Sequence, residues 1–184
     1  LRLSEPSAFP CASRAITDYC HIIDFMRYLG NEAEAVQATA AKLTAADIGV
    51  DLEDAYVAAV ELRGGGIASL EASRVAWGWK GRQVIEFNGT EGSLWWDMED
   101  LNRLHVFYPG DEADGTGGFR DILVSQPDHP FMDMWWPPGH TVGWEHSFAH
   151  EWRDFLTAVI EDQPLPVEQA SFEDGYQAAL MCDA

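Results

Sequence analysis

Asp18, His21 and Asp24 stand three residues apart, and Thr17 lies four before His21. At helical spacing these side chains project from neighbouring turns of one side. A histidine held by carboxylates suits general acid–base work near neutral pH, because the carboxylate fixes the ring's tautomer and supports the imidazolium. The plainer alternative is an exposed His–Asp pair worth about 0.2–0.5 kcal/mol. Arg74 and Lys80 are cations suited to a hydroxyl-rich or carboxylate ligand, or simply to pairing with acids on a sheet surface. In Trp135-Trp136-Pro137-Pro138-Gly139-His140 the rings can stack on a sugar-like ligand while His140 hydrogen-bonds it; packing on a sheet or another subunit is the alternative. His146 and His150 lie one helical turn apart, a spacing zinc can use. Neither HExxH nor CxxC accompanies them, so no metal site is assigned.

These residues need elements to hold them. Ile16, Tyr19, Cys20, Ile23, Met26 and Leu29 form a helical stripe with Arg27 outside it, Ser13 as N-cap and Gly30 as the closing glycine. Alternation then predicts strands over Glu34–Leu43, Asp54–Leu62, Ile67–Ala76, Gln83–Phe87, Ser93–Asp97, Arg103–Tyr108 and Phe119–Ser125. Gly64-Gly65-Gly66 reverses the chain between the second and third strands, and Gly89 and Gly92 can take positive φ in the turn between the fourth and fifth. Gly110–Gly118 reads as a mobile hairpin tip. Gln126–Gly143, with four prolines and two tryptophans, is a loop long enough to suggest function. Helices follow from Trp144 to Ile160 and from Phe172 onward. One helix, a mostly antiparallel open sheet, then two helices predicts an α+β fold with helices on one face. Leu94 and Trp96 fall on one sheet face and Trp95 on the other, while Phe107 opposes Leu104 and Val106. Apolar groups on both faces imply a covering partner, read as homo-oligomerisation through the open sheet face.

The 184 residues are divided into an irregular lead-in, 1–14, and one domain, 15–184. The formal net charge is -20, and Lys42 and Lys80 are the only lysines. That field repels nucleic acid and anionic membranes, which excludes both as partners. A solvated acidic surface and adaptation to high salt both account for it. No apolar run reaches the ~18 residues of a membrane span. Three cysteines without a CxxC pair fit reduced thiols and a cytoplasmic setting.

The ordered set Leu70-Glu71-Ala72-Ser73-Arg74, Gly78-Trp79-Lys80, Ile85 through Leu94, Gly118-Phe119-Arg120-Asp121, His129-Pro130-Phe131, the Trp-Trp-Pro-Pro-Gly-His loop and Gly143-Trp144-Glu145-His146 resembles the carboxy-terminal domain of the Gfo/Idh/MocA (glucose–fructose oxidoreductase / inositol dehydrogenase) family. The resemblance covers nearly the whole chain beyond residue 15. It implies an open sheet like the carboxy-terminal domains of dihydrodipicolinate reductase and glyceraldehyde-phosphate dehydrogenase. It also implies NAD or NADP held by a Rossmann domain outside this chain, and a polyol or sugar substrate. The family helix motif Asp-x-Gly-x-His-x-x-Asp matches at His21 and Asp24. Tyr19 replaces the glycine, and Thr17 stands at the catalytic aspartate with Asp18 one step away, about 100° around the helix. The resemblance assigns His21 the hydroxyl proton, with Thr17, Asp18 and Asp24 beside it, while Arg74, Lys80, Trp136 and His140 are substrate-binding candidates by residue type alone. Neither GxGxxG, GxxxxGK[ST] nor GxSxG occurs, so this chain alone is expected neither to bind a dinucleotide nor to be active. A non-catalytic assembly or binding module is the alternative.

Overall fold

The computed structural model describes residues 16–43 and 53–184, with the side chains of residues 16–18 and 113–114 outside that description. The lead-in, the Ser13 cap and the side chains of Thr17 and Asp18 therefore lie outside the described residues. The first helix, α1 (Ile16–Gly30), follows the expected stripe at Tyr19 and Ile23, which are buried, and at Cys20 and Met26, which pack at the edge of the core; Ile22, outside that stripe, packs there too. Arg27 corrects the expectation. Its side chain is only 8% exposed, because Asp24, Glu32 and Asp174 converge on it and replace its water shell with charged hydrogen bonds.

The described residues divide into two compact units, one made of those up to residue 79 with 170–184, the other of residues 80–169. In the first, β1 (Ala33–Ala41), β2 (Ala55–Leu62) and β3 (Ile67–Ser73) form an antiparallel sheet in the order β1-β2-β3. Gly64 and Gly65 take φ of 91° and 100°, conformations side-chain-bearing residues rarely adopt, and the Leu62 amide donates to the Gly66 carbonyl at 2.8 Å. Val36, Ala58, Val60 and Leu70 put alternate side chains into a core completed by Ile23 of α1 and by Ala178 and Met181 of the last helix, α3 (Phe172–Asp183). In this sheet β1 and β3 end earlier than their alternation predicts. At β3 the Ser73 hydroxyl accepts from the Val75 amide at 3.2 Å, and at β1 the Asp54 carboxylate accepts from the Leu43 amide at 2.7 Å. Each local bond offers the backbone a partner outside the ladder.

The second unit is a meander of β4 (Val84–Gly89), β5 (Gly92–Asp97), β6 (Arg103–Phe107) and β7 (Arg120–Leu123), in sequential order, followed by α2 (Trp144–Glu161). The α+β class holds, with the antiparallel strands divided between two sheets. Register confirms the face assignment: Leu94 pairs with Val106 and Trp96 with Leu104, while Trp95 pairs with His105 on the opposite face. At the β4–β5 turn only Gly92 has positive φ. A Cβ there would sit 2.6 Å from the Phe107 carbonyl oxygen, so the close strand approach requires glycine. The acidic segment expected as a hairpin tip forms a 3₁₀ turn over Pro109–Gly115, begun by the Tyr108 amide donating to the Asp111 carboxylate at 3.1 Å. Among the described residues, no helix is long and apolar enough to cross a membrane.

Candidate functional site

In the first unit the candidate residues sit on α1 and at the end of β3. His21 is exposed. Asp24 turns toward Arg27, whose guanidinium lies 3.4 Å from its carboxylate. Burial pushes the Asp24 carboxyl above its ordinary range; Arg27 and His21 pull it down, and Asp174 and Glu32 push it up. Tyr19, standing where the family motif has glycine, is 5% exposed and meets Tyr56 edge-on with ring centroids 4.2 Å apart. The substitution is thus absorbed as core packing. Arg74 is exposed, and its amide donates to the Asp54 carbonyl at 2.8 Å.

In the second unit Lys80 is exposed at the approach to β4. The Gln126–Gly143 loop is pinned at several points. The Asn102 side chain donates to the Val142 carbonyl and accepts from the Val142 amide, both at 2.8 Å. His129 Nδ1 accepts from the Gln126 amide at 3.3 Å. Phe131 holds φ at 65°, a left-handed conformation costing a bulky residue about 1–3 kcal/mol, so its surroundings must over-determine it. Beyond it, Trp136 is 74% exposed, tilted against His140 with ring centroids 5.8 Å apart. The His140 ring is fixed by a 2.8 Å hydrogen bond between Nδ1 and the Pro137 carbonyl. Met134, Trp135, Trp136 and Pro137 line an open depression of about 360 Å³. A solvent-facing tryptophan beside an oriented histidine offers a flat apolar platform and a polar handle, a combination suited to a hydroxyl-bearing ring.

Sequence spacing missed what holds this loop to α2. The Trp135 indole Nε1–H donates to His150 Nε2 at 2.7 Å, and Phe131 stacks on the His150 ring at 4.3 Å with an interplanar angle of 6°. The one signal was the His146/His150 spacing, which suggested a metal pair. Among the described residues no group of three or more metal-ligating side chains gathers.

Two antiparallel sheets and three helices make an α+β fold, and that fold is found in solved oxidoreductase structures. Residues 12–95 match the family model described as GFO/IDH/MocA C-terminal domain. A levoglucosan dehydrogenase of Pseudarthrobacter phenanthrenivorans is 32% identical over 185 residues, covering 89% of this chain and 46% of that protein. A levoglucosan dehydrogenase structure in complex with NADH and levoglucosan matches with a TM-score of 0.83 and 33% identity, over 93% of this chain and 47% of that one. An oxidoreductase domain protein from Kribbella flavida matches with a TM-score of 0.79 and 34% identity, over 92% and 48% respectively. The chain belongs to the GFO/IDH/MocA family as its C-terminal domain, and it spans about half the length of these relatives.

Among the described residues, Gly64–Gly66 close a strand-to-strand reversal and Gly115 ends a 3₁₀ turn, so neither of these glycine clusters stands at a helix N-terminus where a pyrophosphate could be cradled.

Proposed function

We propose that this chain is the substrate-binding and oligomerisation domain of a cytoplasmic NAD(P)-dependent dehydrogenase acting on a sugar, anhydrosugar or polyol. A Rossmann domain outside this chain holds the dinucleotide, which supplies the hydride chemistry. The observation that carries the reading is the likeness to a structure holding both NADH and levoglucosan, together with the exposed Trp136–His140 pair. The residues proposed for the second unit are Trp136 and His140, which orient a sugar-like ring, and Lys80, a hydrogen-bond donor; those proposed for the first unit are Arg74, a donor, and His21, a proton acceptor, with Thr17, Asp18 and Asp24 on the same helix. Assembly uses the sheet face carrying Trp95 and Phe107.

The test is turnover of anhydrosugars, sugars and polyols with NAD or NADP by the full protein carrying this chain. Substituting His21→Ala should lower kcat/KM roughly 10²–10⁴-fold, with cofactor affinity unchanged. Full turnover without His21 overturns its role. Absence of turnover across the panel supports a second reading, a non-catalytic binding module. Thr17 at the aspartate position favours that reading, and Thr17→Asp would then restore no activity.

A further inference from the structure

We infer that His150 is a positioning residue: in its neutral form it latches the Gln126–Gly143 loop to α2, and its protonation releases the loop. The chemistry follows from the donor inventory. An indole N–H only donates, so the His150 Nε2 that it reaches at 2.7 Å must carry no proton, and the ring's hydrogen resides on Nδ1. Protonation would place N–H against N–H and abolish the bond. The ring cannot swing aside cheaply, because Phe131 covers it face to face at 4.3 Å. Phe131 is the residue held at left-handed φ, so the same contact supports the loop's strained point.

Burial is the largest influence holding the His150 pKa below its usual value; on α2 itself His146 and Arg153 add to it by disfavouring a cation there, and Asp154 opposes them. From the loop, Asp133 binds Arg153 at 3.0 Å, and Arg153 also lies 5.5 Å from the Phe131 ring centre. His146 repeats the pattern, its Nδ1 accepting from the Gly143 amide at 3.0 Å where the loop enters the helix. For a depressed histidine the released state binds more protons. The latch is therefore complete above the free-histidine pKa of about 6.5 and weakens as pH falls below it.

The link to catalysis rests on the proposed function, because this loop carries Trp136 and His140. The experiment separates the two. Hydrogen exchange of residues 131–143, corrected for intrinsic rates, is followed from pH 7.5 to 5 in the full protein, alongside KM for a turned-over sugar. Loop protection should fall about five- to tenfold on acidification, the worth of one hydrogen bond, while α1 and the β1–β3 sheet hold theirs. His150→Gln, which keeps an acceptor but cannot titrate, should flatten the pH response. Trp135→Phe should give the low protection already at pH 7.5. A loop whose protection ignores pH, or a His150→Gln variant that keeps the full transition, overturns the latch. Loss of protection with KM unmoved retains the latch and refutes the placement of substrate on this loop.

Discussion

The two units are held together by different physics. In the first, nine buried residues from α1, β1–β3 and α3 form one apolar cluster, with Val60 at 2% and Ile23 at 3% exposure. In the second, Val106 and Met132 are buried, but α2 has no buried residue and leaves Phe148, Trp152, Val159 and Ile160 facing solvent. What fixes its long loop is a set of directional contacts: Asn102 with Val142, Trp135 with His150, Arg153 with Asp133. Apolar packing resists local opening in proportion to buried area, whereas single hydrogen bonds at the surface are worth about 1 kcal/mol and open readily. The unit with the weaker core carries the exposed Trp136–His140 pair.

The largest break in this contrast should come from core truncation. Ile23→Ala is expected to cost about 2–5 kcal/mol in denaturant unfolding, whereas Ile160→Ala, at 80% exposure, should stay within about 0.5 kcal/mol. Equal costs would erase the distinction between the units. The second unit nevertheless has one rigid point. Gly92→Ala must push a Cβ away from the Phe107 carbonyl and should cost about 1–3 kcal/mol, detected as a lowered midpoint with unchanged slope.

A smaller effect should appear in acid. The Arg27 hydrogen bond is the main cause holding the Glu32 carboxyl below its ordinary range, and hydrogen bonds from Ser171 are the main cause for Asp174. Such depressed groups stabilise the fold above the unfolded carboxylate value of about 4, and that stability is lost as pH falls through their folded values. Asp24, raised chiefly by burial, acts in the opposite sense and blunts the loss. Arg27→Met should therefore destabilise by about 1–3 kcal/mol at pH 7 and flatten the dependence of stability on pH below about 5. An unaltered acid slope in urea titrations would show that Arg27 does not carry the network.

Much of the framework was legible along the chain because its signals are local. The alternation that assigned Leu94 and Trp96 to one face and Trp95 to the other survives in the register, since side-chain period alone decides it. The stripe on α1 likewise named Tyr19 and Ile23 correctly. Spacing misled where a partner distant in sequence intervenes. Arg27 was placed outside the stripe, yet Asp174, 147 residues away, helps bury it. His150 was weighed as half of a metal pair, while its partner is an indole from the preceding loop.

By itself, then, the sequence determined the α+β class, the order of helices and strands, the glycine-bounded turn between β4 and β5, and the family. All of these follow from periodicity, from local backbone freedom or from ordered motifs. Tertiary structure alone decided that Tyr19 fills core beside Tyr56, that Arg27 gathers three carboxylates and that His150 must be a neutral acceptor. A residue's type limits what bonds it can make, but which bond it makes depends on the group that folding brings within about 3 Å of it, and no spacing along the chain records that group.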